Sequence, residues 1–133
     1  MREDKKQLKK QYLQTARPMG VFLIRNNVND RVFLGVSLNL AGIINRHKFQ
    51  LKIGNHPNKE LQADWNKFGS SNFAFEIVDE LTPGHDATRD YRQELALLEK
   101  LWLEKLEPFE ERGYNQRKQT RAEMLRRIAA HRS

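Results

Sequence analysis

The chain has 133 residues, a length typical of one domain with its own hydrophobic core. It contains no cysteine, which excludes disulfide bonds and thiolate metal sites and makes the reducing cytoplasm the compatible location. No apolar run approaches the ~20 residues of a membrane-spanning helix, and the N-terminus lacks the apolar core of a signal peptide. We therefore expect a soluble, cytoplasmic protein without a membrane partner.

The net charge of +7 is concentrated at the two ends of the sequence. Residues 1–17 hold six basic and two acidic side chains, and residues 116–133 hold six basic and one acidic. The segment 18–115 holds twelve basic and fourteen acidic side chains. Basic ends predict binding to a phosphate backbone, which releases counterions and makes affinity depend on salt. Alternatively, charged terminal helices only keep a small protein in solution.

These charge differences divide the chain into a helical N-terminal extension (1–17), a central domain (18–115) and a basic C-terminal helix (116–133). Residues 3–16 are compatible with a helix that has a thin apolar stripe, and Pro18 ends it because the residue before proline avoids helical dihedrals. The candidate nucleic-acid-binding side chains of the two ends are Lys5, Lys6, Lys9, Lys10, Arg117, Lys118, Arg121, Arg126 and Arg127.

Two short apolar runs, Gly20–Arg25 and Arg31–Ser37, open the central domain. They are rich in β-branched and aromatic residues, and Asn and Asp dominate the gap Asn26–Asp30. This pattern predicts a β-hairpin with a five-residue loop. Asn39 is then expected to cap a helix that stops at Gly54.

The second half of the domain alternates between helices and a strand. Asn58 can cap a helix over Lys59–Phe68, which Gly69 ends. Residues Asn72–Leu81 alternate between apolar and acidic side chains, which predicts a third strand. The members of its two faces are Phe73, Phe75 and Ile77 on one side and Glu76 and Asp79 on the other.

A loop over Thr82–Thr88 precedes a long helix from about Arg89 to Leu106. Residues Arg117–His131 read as a final helix with a narrow apolar stripe. The expected fold class is α+β: a small three-stranded antiparallel sheet flanked by helices, with helical basic extensions at both ends.

Several short motifs resemble the GIY-YIG nucleases over roughly residues 18–115. Gly20-Val21-Phe22, a spacer of ten residues and Phe33-Leu34-Gly35 stand where that family has its paired tripeptides. The matching segments that follow in order are Ser37–Leu40, Arg46-His47, His56, Leu61–Gly69, Phe73–Ile77, Glu99–Trp102 and Gly113-Tyr114-Asn115. The resemblance implies a nuclease fold that binds nucleic acid; DNA is the expected partner, and RNA remains an alternative.

The resemblance also implies roles for individual residues. Glu99 matches the glutamate that binds one divalent metal ion, so it would hold Mg²⁺ or Mn²⁺ if the protein is active. His56 and Asn115 match supporting polar residues of the cleft, and His47 beside Arg46 matches the first helix of the family. From the residues alone, Glu99 has apolar helical neighbours and could instead pair with an arginine at the edge of the core.

Three family groups are missing together. Phe22 and Phe33 stand where the family has tyrosines, and Ile43 stands where it has an arginine. One lost charge-stabilising donor can be worth ~3 kcal/mol and lost acid–base help ~100-fold, so we expect cleavage to be slowed by orders of magnitude. Arg46, three residues after Ile43 on the same helix, could reach back and replace the lost cation.

Three hypotheses follow. The first is a nucleic-acid-binding protein of GIY-YIG fold with a weak or lost phosphodiesterase site. The second is an atypical metal-dependent endonuclease in which Glu99 holds magnesium, Arg46 supplies the cation and His47 or His56 takes the proton. The third is a non-catalytic module whose basic ends contact an acidic protein. The sequence leaves the oligomeric state open.

Overall fold

The computed structural model of the protein describes residues 18–82 and 89–117, together with Leu125, Arg126, Ile128 and Ala129. The predicted helical extension of residues 1–17 and most of the predicted loop Thr82–Thr88 lie outside these ranges. Five residues of the predicted C-terminal helix Arg117–His131 are described: Arg117 is not helical, whereas Leu125, Arg126, Ile128 and Ala129 are helical and exposed.

Three strands form one antiparallel sheet, as the sequence predicted: β1 (Met19–Asn26), β2 (Val32–Ser37) and β3 (Phe73–Leu81). Their order is β2-β1-β3, so β1 is the central strand and pairs with β2 on one side and with β3 on the other. The asparagines predicted in the hairpin loop shape it, because the side chain of Asn26 accepts from the N–H of Val28 and that of Asn29 from the N–H of Arg31.

Within residues 18–82 and 89–117, three helices accompany the sheet: α1 (Leu40–Ile53), α2 (Lys59–Phe68) and α3 (Arg92–Leu106). The predicted caps are confirmed, since Asn39 accepts from the N–H of Gly42 and Asn58 from the N–H of Leu61. Gly54 ends α1 in the left-handed conformation, with φ of 79°. The α+β class is therefore confirmed.

The sheet is the middle layer between the helices. One face carries Phe22, Ile24 and Phe73 in a cluster with buried leucines of α1 and α2. The other face carries Val21, Leu23, Val32 and Leu34, against which apolar side chains of α3 pack. Alternation along β1 thus assigns neighbouring residues to opposite cores.

The predicted start of α3 at Arg89 is wrong by three residues, because the helix begins at Arg92. The side chain of Asp90 accepts from the N–H of Arg92 at 3.0 Å and also binds its guanidinium group. Such a local side-chain hydrogen bond competes with helical pairing and holds the preceding residues outside the helix. Similarly, β3 begins one residue after Asn72, because Ser70–Asn72 form a 3₁₀ turn.

The predicted alternation along β3 is interrupted at Val78. Val21 pairs with Asp79 whereas Phe22 pairs with Ile77, so Val78 is the extra residue of a β-bulge. Val78 packs in the core beneath α3, and Asp79 accepts a hydrogen bond from Nε1 of Trp102 at 3.0 Å. Ile77 keeps the face predicted for it but is 45% exposed on this edge strand.

Candidate functional site

Two histidines and two phenylalanines form one packed group, here called the histidine–phenylalanine cluster. The rings of His47 on α1 and His56 in the turn before α2 are stacked, with centroids 4.9 Å apart. The ring of Phe22 lies 5.3 Å from His47, and that of Phe33 lies 5.5 Å from His47 and 6.1 Å from His56. The structure therefore brings together four of the positions that the sequence analysis connected.

Gly35 on β2 makes room for this cluster. A Cβ atom at Gly35 would lie 2.6 Å from Cζ of Phe22, much closer than carbon atoms approach each other. Glycine at position 35 therefore leaves the space against β2 that the ring of Phe22 occupies. This close approach gives a physical reason for glycine in the second tripeptide.

The hydrogen bonds of the cluster determine which ring nitrogens carry protons. Nδ1 of His56 accepts from the N–H of Asn58 at 3.0 Å, so a neutral His56 carries its proton on Nε2. That nitrogen lies 2.7 Å from Nδ1 of His47 and therefore donates to it. A neutral His47 must then carry its proton on Nε2, which makes this nitrogen a hydrogen-bond donor.

Both imidazoles are held neutral. Burial, the neighbouring His56 and the charge of Arg46 together lower the pKa of His47 from 6.5 to about 4. Burial also lowers the pKa of His56 below 6.5. Since every ring nitrogen that could accept a proton already accepts a hydrogen bond, action as a base requires one of these bonds to break.

The neutral histidines give the fold a dependence on acid. The unfolded chain binds a proton at His47 with a pKa near 6.5 and the folded chain only at about 4, so protons favour unfolding as the pH falls through this window. We expect the melting temperature to fall between pH 6.5 and 4, and to fall about 5 °C less in His47→Gln, whose amide oxygen can still accept from His56. Circular dichroism melts at each pH measure this, and equal slopes in both proteins would contradict the assignment.

The two α1 residues singled out by the sequence lie in different environments. Ile43 is half-buried and packs against the core that contains Phe22 and Leu40. Arg46 is exposed, and its charge contributes to the lowered pKa of His47. A cation at position 46 therefore acts on the cluster electrostatically, while position 43 serves packing.

Asn115 binds the outer edge of β2. Its Oδ1 accepts from the N–H of Leu34 and its Nδ2 donates to the carbonyl of Leu34, both at 2.8 Å. The preceding Tyr114 N–H donates to the carbonyl of Val32 at 2.9 Å. Asn115 is thus fixed at Leu34, the residue after Phe33, and both the oxygen and the nitrogen of its side-chain amide are bonded to backbone.

Glu99 lies on α3, on the other side of the sheet from Phe22. It is half-buried and lines a cavity of about 460 Å³. The other lining residues are Ala96, Lys100, Leu103, Glu104, Glu107, Phe109 and Arg117. The surroundings are more charged than the apolar neighbours expected from the helical spacing, because the segment after α3 contributes Arg117 and Glu107.

Comparison with solved structures decides the fold family. The catalytic domain of the homing endonuclease I-TevI matches with a TM-score of 0.62 and 25% identity, over 75% of this chain and 99% of that chain. The catalytic domain of the intron endonuclease I-TevI with a glutamate-to-alanine substitution matches with a TM-score of 0.62 and 24% identity, over 77% and 97% of the two chains. This chain has a GIY-YIG-like fold. No protein-family model and no curated protein matches the sequence.

Within the GIY-YIG-like fold, Glu99 is the residue to test for metal binding. Magnesium is held through one or two carboxylates together with waters and phosphate oxygens, and a half-buried glutamate in a wide cavity supplies a donor of that kind. Over residues 18–82 and 89–117, no group of three or more acidic or histidine side chains is placed to hold a metal ion. An ion held by Glu99 would therefore need waters and phosphate oxygens to complete its shell.

The candidate nucleic-acid-binding residues are only partly described. Arg117 pairs with Glu110, with Nε and Oε1 3.0 Å apart, and its guanidinium lies over the ring of Phe109. Arg126 is exposed. The remaining candidates lie outside the described ranges: Lys5, Lys6, Lys9, Lys10, Lys118, Arg121 and Arg127. No helix in the described ranges is long and apolar enough to cross a membrane.

Sequence reasoning missed the residues that hold His56 in place. Gln62 accepts from the N–H of His56 and donates to the carbonyl of Leu51, each at 3.0 Å, and is itself buried. Asn58, predicted only as a helix cap, also contacts the imidazole through its backbone N–H. The available signal was weak: a histidine followed within a few residues by a cap and a glutamine in the first turn of a helix.

Proposed function

We propose that this protein binds nucleic acid through a GIY-YIG-like endonuclease fold whose phosphodiesterase site is weak or lost. The observation that carries the proposal is the environment of Phe22 and Phe33. Both rings pack against the neutral imidazole of His47 and carry no hydroxyl that could give or take a proton. Ile43 packs in the same core, where a guanidinium would be costly without partners.

The remaining groups are better suited to binding a nucleic acid than to cleaving it. The Nε2–H of His47 can donate to a phosphate oxygen, and exposed Arg46 can contribute a nearby positive charge. Glu99 would hold Mg²⁺ or Mn²⁺, and the ion would supply stabilisation of charge on a phosphate. No hydroxyl remains at the two tripeptides to handle a proton, which supports binding with slow or absent cleavage.

The basic ends extend this proposal. Residues 1–17 and 116–133 would contact the phosphate backbone of a DNA duplex, with little reading of base sequence because phosphate contacts position without specifying. The division into two basic extensions and a central domain, and a cytoplasmic location for a chain without cysteine, are parts of the same proposal. RNA is the alternative ligand.

A second candidate function is an atypical endonuclease that uses Arg46 and Glu99. The observation that favours it is the electrostatic effect of Arg46 on His47, since this cation acts at the cluster despite the apolar residue at position 43. The two candidates share binding and differ in cleavage. A third, a protein-interaction module, predicts no nucleic-acid binding at physiological salt.

The test combines nicking of supercoiled plasmid with duplex binding across salt concentrations. We expect affinity to fall by about 10³ or more between 50 and 200 mM salt, with little or no nicking in magnesium or manganese. Nicking that disappears in both Glu99→Ala and Arg46→Ala, but persists in Glu80→Ala with its exposed β3 carboxylate, would establish the endonuclease instead. Absence of duplex binding at every salt concentration would contradict the proposed nucleic-acid binding.

A further inference from the structure

A second cavity, of about 570 Å³, lies between α1, α2 and the start of β3. We call it the aromatic–lysine cavity, after its lining residues Lys48, Lys52, Trp65, Ser70, Phe73 and Phe75. None of the six belongs to the histidine–phenylalanine cluster or lines the cavity of Glu99, and none is acidic. Its volume is within the range of small-ligand sites, about 300–1,000 Å³.

Three aromatic rings form one wall of this cavity. The ring of Trp65 lies 5.2 Å from that of Phe73 and 6.4 Å from that of Phe75, tilted or edge-on in both pairs. Trp65 and Phe75 are only half-buried, so part of their ring surface remains available. Aromatic surfaces of this kind bind nucleobases by stacking without regard to base identity.

The other tryptophan, Trp102, has partners for both its indole N–H and its ring face. Nε1 of Trp102 donates to Asp79 at 3.0 Å, and the ammonium of Lys105 lies 4.7 Å from its ring centroid. Trp102 also packs in the core beneath α3. Trp102 is therefore occupied by polar and apolar partners, whereas Trp65 combines core packing with a position on a cavity wall.

Two lysines supply positive charge to the same cavity. Nζ of Lys48 lies 5.0 Å from the ring centroid of Phe75, which places an ammonium group over the aromatic wall. Lys52 follows four residues later on α1, so the two side chains share one face of the helix. Both are exposed and can reach a phosphate in water.

We propose that the aromatic–lysine cavity binds an unpaired nucleobase together with its phosphate. The inference rests on the proposed nucleic-acid binding and specifies its ligand: the rings take the base, the lysines take the phosphate and the Ser70 hydroxyl faces the base edge. A base within a duplex is already stacked and paired, and its release costs a few kcal/mol. The cavity therefore favours single-stranded, gapped or frayed nucleic acid.

The test measures fluorescence anisotropy of the full-length protein with three labelled 15-mers: oligo(dT), oligo(rU) and an abasic strand with the same phosphates. We expect oligo(dT) or oligo(rU) to bind about tenfold more tightly than the abasic strand, because only the bases can stack. In Ser70→Leu, which narrows the cavity from an exposed position and adds no ring on which a base could stack, this difference should shrink to less than twofold. Circular dichroism melts confirm that the variant remains folded.

Charge is tested separately with Lys48→Gln/Lys52→Gln, against Lys59→Gln/Lys105→Gln as a control that removes two lysines elsewhere. We expect the cavity variant to weaken oligo(dT) binding about fivefold more than the control variant does. A further readout uses Trp102→Phe, in which Trp65 is the one remaining tryptophan of two. Its fluorescence should be quenched by oligo(dT) and not by the abasic strand.

The outcomes distinguish the two levels of inference. Equal affinity for oligo(dT), oligo(rU) and the abasic strand, with duplex binding intact, overturns the cavity site and leaves the proposed function standing. Binding to none of the strands and to no duplex overturns both. A preference between oligo(dT) and oligo(rU), lost in Ser70→Leu, supports the site and shows that it distinguishes strands that differ in the 2′-hydroxyl and in the 5-methyl group of the base.

Discussion

Phe22→Tyr/Phe33→Tyr/Ile43→Arg should increase magnesium-dependent nicking of supercoiled plasmid by about 100-fold or more over the parent protein. The three substitutions return two hydroxyls and one guanidinium to positions in or beside the histidine–phenylalanine cluster, in a chain that keeps Asn115 and, on α3, Glu99. General acid–base help and stabilisation of charge on the phosphate are each worth at least that factor when a site is otherwise assembled. Initial rates at saturating DNA measure the gain.

The design of this experiment must separate chemistry from folding. Phe22 is 1% exposed, so a hydroxyl there costs about 1–3 kcal/mol unless it finds a partner in the cluster. Melting temperatures of each single variant show whether the fold survives. The triple variant with Glu99→Ala is the matched control and should not nick. A folded triple variant that binds DNA yet cleaves no faster would refute the account of the lost residues.

Arg31→Ala should lower the free energy of unfolding by about 2–3 kcal/mol, the largest effect expected of any single charged residue in the described ranges. Its Nη2 donates to Glu60 at 2.6 Å and to the carbonyls of Gly113 and Glu110 at 3.0 and 3.1 Å. Its guanidinium also lies 4.3 Å from the ring centroid of Tyr114. The substitution would remove the donor of the two carbonyls, whereas the carboxylate of Glu60 is 70% exposed and would be solvated by water.

Arg25→Ala is the control for that measurement. Arg25 makes one ion pair with Glu76, and the two side chains are 34% and 39% exposed, so its loss should cost less than about 1 kcal/mol. Arg31 is 20% exposed and joins the hairpin to α2 and to the segment after α3. Urea unfolding followed by circular dichroism compares them, and equal losses would contradict a special role for Arg31.

The phenol of Tyr114 completes the same network. Burial and the hydrogen bond to Asp64 raise the pKa of Tyr114 to about 12, so its hydroxyl stays protonated and donates to Asp64 at 2.6 Å. Nδ2 of Asn26 donates to the same hydroxyl oxygen at 3.2 Å. The tripeptide Gly113-Tyr114-Asn115 therefore fastens the end of the domain to the hairpin.

The fold was readable from the sequence where local chemistry decides structure. Asn39 and Asn58 identified helix starts because their side chains replace missing backbone partners, and Gly54 identified a helix end because it adopts a left-handed conformation. The start of α3 and the bulge at Val78 were not readable. The first depends on a turn made by Asp90, and the second on how β3 meets β1 and α3.

The sequence indicated candidate residues for the site, but it did not predict how their side chains are arranged. The resemblance connected His47 and His56, but their shared hydrogen bond depends on how the turn before α2 packs against α1. Proton positions follow only from that contact and from the N–H of Asn58. Likewise, nothing in the sequence joined Lys48 to Phe75, because the two come from different layers of the fold.

Asn115 has a further consequence for how copies of this protein meet. Its side-chain amide presents to Leu34 the same donor and acceptor that a neighbouring strand would, and the backbone N–H of Tyr114 donates to the carbonyl of Val32. The exposed edge of β2 is thereby occupied by the chain's own groups over these residues. An unprotected edge strand recruits strands of other molecules and seeds aggregates. One asparagine thus blocks the β2 edge of this small sheet at Leu34 against pairing with a strand of a second copy.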